Sequence, residues 1–161
     1  MSKTDFDRPE LPALGIVAGM EDDDRRLLSN YGEFLPVREG DTLIAENSAQ
    51  NSLVFLISGL LHVVTDRDGS RVFLARVGPG ETIGEINLFD PGKASASVVA
   101  KSFSQVWKVR RNDLDDFLNA YPEAAGRLMI GLLCEMSKRL RNMNQKLSSS
   151  ELQKALREFF H

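Results

Sequence analysis

Between residues 34 and 109 the chain alternates short apolar runs with turn-forming residues, and this pattern strongly restricts its fold. The predicted strands cover residues 34–37, 42–45, 53–58, 60–65, 71–77, 95–100 and 105–109. Asp68-Gly69, between two of these runs, is a hairpin signal. Many short strands with evenly spaced turns predict a β-barrel, sandwich or jelly roll. Because no long helical pattern separates the runs, we do not expect a doubly wound α/β sheet.

Helical patterns flank the strand region on both sides. Residues 21–30 predict a short helix, and three aspartates lie near its positive N-terminal end. Residues 1–15 are polar and contain two prolines, so we expect a loose lead-in there. After the strands, the apolar spacing of residues 112–120 predicts another helix, which Pro122 ends.

A long helix is predicted over residues 123–147. Ser148, three residues before Glu151, fits a capping box that begins a separate short helix. The predicted organisation is a lead-in and short helix at residues 1–30, a β region with its following helix at 31–122, the long helix at 123–147, and a terminal short helix at 148–161.

An apolar stripe on the long helix repeats with the spacing of a coiled coil. Its members follow steps of four and three residues: Met129, Leu133, Met136, Leu140, Met143 and Leu147. A stripe limited to the a and d positions of a heptad is typical of a helix that pairs with another helix. We therefore expect a homodimer through this helix. The alternative is that the stripe packs against the chain's own β region.

Composition narrows the classes of function. A net charge of −3 disfavours general affinity for nucleic acid or an anionic membrane, which depends on clustered lysine and arginine. His62 and His161 lack metal-ligand spacing, so no metal site is expected. No apolar run approaches the ~20 residues of a membrane span, and the first residues contain no signal-peptide core. We expect a cytoplasmic protein in which the single cysteine, Cys134, is a small buried side chain.

The segment over residues 78–99 carries the strongest functional signal. Glycines punctuate it, and a glutamate, Glu85, directly follows Gly84. A backbone rich in glycine can turn sharply and approach a ligand closely. A glycine loop that opens a short helix also directs N–H groups at an anion. The segment therefore predicts a site for a small anionic ligand.

Five motifs, in this order along the chain, resemble those of the cyclic-nucleotide-binding domain family. They are residues 37–44, residues 53–59, residues 78–85, residues 106–114, and Pro122 with the long helix. The resemblance covers about residues 30–147 and is greatest to the effector half of bacterial regulators related to catabolite activator protein. It implies a mainly β double-stranded β-helix, or jelly roll, followed by a long dimerisation helix. It also implies a non-catalytic sensor that binds a cyclic nucleotide such as cAMP or cGMP.

The resemblance implies roles for individual residues. Glu85 matches the acid that accepts a hydrogen bond from the ribose 2′-hydroxyl, and Gly84 with the N–H groups of Glu85 and Ile86 matches the phosphate cradle. Asn144 matches a residue of the long helix that hydrogen-bonds the purine. The alternative for Glu85 is a structural role, in which it caps the short helix or pairs with an arginine such as Arg76.

The family's phosphate-binding arginine is missing from this sequence. Its position falls on Ala94 or Ser95, neither of which can pair with a phosphate, and Lys93 is the neighbouring cation.

Fourteen residues follow Leu147, too few for a helix-turn-helix domain, so direct DNA binding is not expected. Two hypotheses follow. One is a regulatory module that still binds a cyclic nucleotide or a related small anion, and the other is a degenerate domain that serves as a dimerisation scaffold for an unidentified protein partner.

Overall fold

The computed structural model describes residues 9–159, which form ten strands and four α-helices. The strands are β1 (Glu33–Val37), β2 (Thr42–Ile44), β3 (Ala49–Gln50), β4 (Ser52–Ser58), β5 (Leu61–Arg67), β6 (Ser70–Val77), β7 (Thr82–Ile83), β8 (Gly92–Lys93), β9 (Ser97–Ala100) and β10 (Ser104–Arg110). The helices are α1 (Asp22–Ser29), α2 (Glu85–Phe89), α3 (Arg111–Ala120) and α4 (Pro122–Phe159), and a 3-10 turn covers Gly15–Val17. None of the helices in this part of the chain combines the length and apolarity needed to cross a membrane.

Two four-stranded antiparallel sheets form a jelly-roll-like β-roll. One has the order β1-β10-β4-β7 and the other the order β2-β9-β5-β6, while β3 and β8 form a small separate sheet. Each of the seven predicted strands is present, with ends within two residues of the prediction. The three two-residue strands β3, β7 and β8 were not predicted, because two residues are too few for an alternating pattern.

The hairpin predicted at Asp68-Gly69 connects β5 to β6. Both residues have positive φ, 52° and 77°, and the flanking residues Arg67 and Ser70 pair across the turn. Positive φ at both central positions is the geometry that matches the right-handed twist of the two strands.

Strand β4 is buried on both faces, which explains its unbroken apolar sequence. Alternate residues point to opposite sides of a strand. Leu53 and Phe55 therefore pack in a cluster with the helices, while Val54 and Leu56 pack in the interior of the roll. Trp107 of β10 belongs to the helix-side cluster, so one sheet separates the two cores.

Helix α4 begins at Pro122, which confirms the predicted interruption after α3. Proline suits the first helical position because its ring presets φ and it has no N–H to leave unbonded. Leu128 and Leu132 anchor this helix in the helix-side core. Gly131 lies against the 3-10 turn, where a Cβ atom would stand 2.0 Å from the carbonyl oxygen of Ile16.

The prediction of a separate helix from residue 148 is wrong, because α4 continues without interruption to Phe159. The Ser148 hydroxyl donates a 2.9 Å hydrogen bond to the carbonyl of Asn144 within the helix, rather than capping a new one. Ser149 donates in the same way to Gln145, at 2.8 Å. These hydroxyl groups are satisfied by the preceding turn, and no glycine or proline stops the helix there.

Two further expectations are corrected. The lead-in is not loose over residues 9–15, because Leu11 is buried and its N–H donates a 2.9 Å hydrogen bond to the Ser29 hydroxyl. The rest of the predicted lead-in, residues 1–8, lies outside the described residues. Cys134 is exposed on α4, since the apolar stretch around it is buried on one side only.

Candidate functional site

A cavity of about 170 Å³ lies between α2, the interior of the β-roll and α4. Apolar side chains from three strands of the roll form one wall: Ile44, Val63 and Val98. The opposite wall carries two charged side chains, Glu85 and Arg139. The cavity therefore joins an apolar surface suited to a flat or apolar group with a compact charged cluster.

Five of the seven residues predicted to bind a ligand line this cavity. They are Gly84, Glu85, Ile86, Ala94 and Ser95. A larger open cleft, of about 460 Å³, lies beside β1 and β10 and contains none of them. We therefore take the smaller cavity as the candidate site.

Gly84 connects β7 to α2 in a conformation that favours glycine. Its φ is +88°, and a Cβ atom there would lie 2.4 Å from the backbone carbonyl oxygen of Ser52. Left-handed backbone and close approach each disfavour a side chain. The glycine thus allows the chain to turn against β4 and to bring the next residue, Glu85, onto the cavity wall.

The Glu85 carboxylate is 7% exposed and has one paired and one unpaired oxygen. Its Oε1 atom accepts a hydrogen bond from Nη1 of Arg139, whereas its Oε2 atom is buried without a partner among the described residues. Burial raises the pKa of Glu85, Arg139 lowers it, and the nearby Glu135 raises it. The predicted alternative of an arginine pair therefore applies, but with Arg139 in place of Arg76.

Arg139 joins α4 to strand β7 as well as to Glu85. Its Nη2 atom donates to the carbonyl oxygen of Thr82 and, at 2.5 Å, to Oε1 of Glu135. The same Glu135 oxygen accepts a 3.1 Å hydrogen bond from the Thr82 N–H. Because β7 is an edge strand, two side chains one helical turn apart complete the backbone hydrogen bonding of Thr82.

The sequence interpretation missed both Glu135 and Arg139. Arg139 stands beside the apolar stripe, and a cation toward the C-terminal end of a helix is favourable without any function, so its charge alone does not indicate a site. The sequence signal that could have identified them is their opposite charge at i,i+4 spacing, but such pairs usually lie on a helix surface. Nothing local connects this pair with Glu85, which is 54 residues from Arg139.

Two predicted residues do not reach the cavity. Lys93 is exposed in β8, and its carbonyl oxygen accepts a 3.3 Å hydrogen bond from the Asn87 side chain. Asn144 is exposed on α4, one helical turn beyond the part of the helix that contacts the roll through Arg139. Neither side chain lines the cavity, and their contact with a ligand stays a prediction.

The predicted dimerisation stripe is largely exposed in the single chain. Leu133, Leu140, Met143 and Leu147 are each between 58% and 64% exposed. Met129 instead packs partly against the helix-side core, and Met136 is half-buried. The stripe is therefore exposed at Leu133 and again from Leu140 onward, beyond the part of α4 that contacts the β-roll.

Comparison with known proteins links this geometry to a family. The family profile described as "Cyclic nucleotide-binding domain" matches residues 34–121, which is more than half of the chain. These residues include both four-stranded sheets and the walls of the cavity except Arg139.

Individual relatives agree with the profile. The Pycsar effector protein BcPycTIR of Burkholderia cepacia is 32% identical over 119 residues, which are 73% of this chain and 37% of that protein. The CRP-like cAMP-activated global transcriptional regulator of Mycobacterium tuberculosis is 27% identical over 139 residues, 86% of this chain and 60% of the regulator. The chain thus spans less than two thirds of either relative.

A solved structure has the same fold over most of the chain. The N-terminal domain of a transcriptional regulator from Streptomyces coelicolor A3(2) aligns with a TM-score of 0.66 and 31% sequence identity. The alignment covers 82% of this chain and 90% of that domain.

Proposed function

The chain belongs to the cyclic nucleotide-binding domain family, and we propose that it is a non-catalytic regulatory module that binds a cyclic nucleotide or a related small anion. In this proposal the ligand occupies the cavity between α2, the roll interior and α4. Glu85 accepts a hydrogen bond from a sugar hydroxyl, and the backbone from Gly84 to Ile86 faces the phosphate.

The observation that carries this proposal is the unpaired Oε2 atom of Glu85. A buried carboxylate oxygen without a donor is costly, and such groups in native proteins call for an explanation. A hydroxyl group of a ligand in the cavity would supply the missing donor. Glu85 also follows Gly84, which lets the chain turn against β4 and so brings the carboxylate to the cavity wall.

The anionic part of the ligand needs a positive charge. Among the described residues that line the cavity, Arg139 is the single cation. Ala94 and Ser95 stand where the family's arginine is expected, and neither carries a charge. Arg139 is about one-third exposed, so its guanidinium can turn between the carboxylates and a ligand. Its planar group of five N–H donors is well suited to phosphate oxygens.

The cavity volume suggests that binding includes a movement. About 170 Å³ is below the ~300–1,000 Å³ typical of small-molecule pockets. Because Arg139 and Ile86 form part of its wall, a shift of α4 or α2 would enlarge it.

Isothermal titration calorimetry with cAMP and cGMP tests the proposal. We expect binding heat and a higher melting temperature for the original chain. Glu85→Ala should weaken binding about 10- to 100-fold, because it removes the acceptor and a hydrogen bond to a charged group contributes ~1.5–3 kcal/mol. Glu39→Ala, at an exposed position outside the cavity, is the control and should bind normally. No heat and no thermal shift with either nucleotide at millimolar concentration would contradict the proposal.

The scaffold hypothesis has its own supporting observation. Ala94 is 4% exposed and packs in the interior of the roll, so this part of the segment contributes to the core as well as to the cavity. In this second candidate function, the domain no longer binds a nucleotide and presents α4 to partners. A cyclic nucleotide that co-purifies with the protein would exclude it.

We also propose that the module is a homodimer through α4. The exposed leucines of the stripe support this, because contiguous apolar side chains on a projecting helix are costly in water and heptad spacing suits a second helix.

A further inference from the structure

Three charged side chains meet beside the cavity, and their charges do not sum to zero. Arg139 donates to Oε1 of Glu85 through Nη1 and to Oε1 of Glu135 through Nη2. With both carboxylates ionised, the cluster has one positive and two negative charges. It therefore has a net charge of −1 on the side of the cavity where an anionic ligand would be neutralised.

Both carboxylates also have a buried oxygen without a hydrogen-bond donor. These atoms are Oε2 of Glu85 and Oε2 of Glu135, and they are the two buried side-chain polar atoms left unpaired in residues 9–159. The two side chains are 7% and 14% exposed, so water reaches them poorly. Two carboxylates that share one cation in such an environment favour holding a proton between them.

Other charged groups near the cluster do not change this balance. Strand β7 contributes Thr82 and Ile83, which are neutral, and the other strand residues that line the cavity, including Gln50, are uncharged. Glu81 is directed elsewhere, since its carboxylate accepts a 2.5 Å hydrogen bond from the Gly78 N–H. Lys93 does not line the cavity.

We propose that an anion enters this cavity together with one proton, which the Glu85–Glu135 pair takes up, and that Glu135 is the residue that imposes this coupling. The inference rests on the proposed function. An anion bound next to a cluster of charge −1 gives a total of −2 around a single guanidinium. One proton from solvent, bound to either carboxylate, restores the total to −1 and gives one of the unpaired oxygens an O–H group. Arg139 is then free to turn its remaining donors to the ligand.

The pKa of Glu85 is raised above its ordinary value, which agrees with this arrangement. Burial is the largest influence and raises the pKa, Arg139 lowers it, and Glu135 raises it again. A bound anion adds a second negative charge and raises it further.

A defined pH dependence follows. The protonated cluster is the form that binds, so affinity is highest where the free protein already holds the proton. As the pH rises above the pKa of the free pair, affinity falls by up to tenfold per pH unit. The fall ends at the higher pKa of the ligand-bound pair, because above it binding no longer takes up a proton.

The test is calorimetry of the full chain with cAMP from pH 5 to pH 8, in buffers whose ionisation enthalpies differ. The dependence of the measured heat on buffer enthalpy gives the number of protons taken up. We expect a maximum approaching one proton per bound nucleotide and a dissociation constant that rises with pH. Binding without proton uptake at any pH would overturn this inference and leave the proposed function intact. No binding at any pH would overturn the proposed function, and this inference with it.

Glu135→Gln gives the residue-specific test. Glutamine keeps an oxygen acceptor for the Thr82 N–H but removes one negative charge. We expect proton uptake to be lost and affinity at pH 8 to increase about tenfold. Glu123→Gln, in the first turn of α4 and exposed, is the matched control and should retain uptake. Unchanged proton uptake in Glu135→Gln would contradict the role of Glu135. The buffer series on the unmodified chain decides the coupling itself, whatever the stability of the variant.

Discussion

Arg139 and Glu85 are separated by 54 residues in the chain and form an ion pair on the wall of the cavity. The pair connects the long helix directly to the segment that begins with Gly84. Because Arg139 also donates to the backbone of Thr82, a displacement of α4 must act on both β7 and α2. This contact links the candidate ligand site directly to the long helix.

Replacement of Arg139 should therefore destabilise the fold in a pH-dependent way. Arg139→Gln leaves Glu85 and Glu135 buried without a cation, and we expect a loss of about 1–3 kcal/mol at pH 8. The loss should be smaller at pH 5, where the Glu85 carboxyl, whose pKa is raised by burial, takes up a proton more readily. Urea unfolding at both pH values measures it. Arg141→Gln, exposed on the same helix, should change stability by less than ~0.5 kcal/mol. Equal effects of the two substitutions would contradict the proposed importance of the pair.

The raised pKa of Glu85 predicts how its contribution to stability changes with pH. A carboxyl group with a higher pKa in the folded than in the unfolded state contributes stability that is fully present below its ordinary pKa. That contribution is lost as the pH rises through the raised folded-state pKa. Relative to Glu85→Gln, the original chain should become less stable as the pH rises above about 4, by at most ~1.4 kcal/mol per pH unit. Unfolding curves at several pH values check this, and a constant or opposite difference would show that burial does not dominate.

Alanine substitutions at Gly84 and Gly40 distinguish two energetic costs of adding a side chain, which are an unfavourable backbone conformation and a steric clash. Their φ angles are +88° and +89°, but a Cβ atom would contact the Ser52 carbonyl at residue 84 and open space at residue 40. We expect Gly40→Ala to cost about 1–2 kcal/mol, from backbone conformation alone. Gly84→Ala should cost a further ~1–3 kcal/mol because β4 must move. Denaturant unfolding compares them, and similar losses would mean that the close approach to Ser52 is unimportant.

Two glycines on α4 should respond to alanine in opposite directions. Gly126 has open space around its Cβ position, so Gly126→Ala should stabilise the protein by about 0.5–1 kcal/mol through its higher helix propensity. Gly131→Ala should destabilise it by about 1–3 kcal/mol, because the Ile16 carbonyl would be 2.0 Å from the new atom. Thermal unfolding at matched protein concentrations measures both changes. Stabilisation by both would show that α4 does not hold the 3-10 turn closely.

Leu140 and Leu152 provide a matched test of the dimer. Their exposed fractions are 60% and 62%, but only Leu140 belongs to the heptad stripe, whose next two positions are Ser150 and Lys154. Leu140→Glu should shift the protein toward monomer in analytical ultracentrifugation, whereas Leu152→Glu should remain dimeric. A spin label on the exposed Cys134 would report the distance between the two helices. A dimer that is unaffected by Leu140→Glu would place the interface elsewhere.

Local sequence patterns predicted most of the architecture. Alternating apolar runs located the longer strands, and Asp68-Gly69 specified a turn that only residues tolerant of positive φ can form. Pro122 marked the start of α4 because proline is compatible with a helix only in its first turn. Such signals succeed because they report the conformational preference of neighbouring residues.

At Ser148, by contrast, the capping pattern predicted a helix start, but the residue lies within a continuous helix. The pattern indicates that the residue can begin a helix, but its hydroxyl donates equally well to the preceding turn. Leu11 shows the complementary limit. A single leucine between prolines has no periodicity, and only the packed structure reveals that it is buried against α1.

The sequence by itself determined the family, the order of the longer strands along the chain and the glycine that positions Glu85, since each depends on local residue preferences read in order. Only the tertiary structure decided the charge of the candidate site. Ala94, Ser95 and Lys93 predicted a cavity with weak or no positive charge, whereas folding brings in Arg139 together with a second carboxylate, Glu135. The physical reason is that charged groups interact through space, and Arg139 of α4 reaches the cavity wall although it lies 54 residues after Glu85 in the chain.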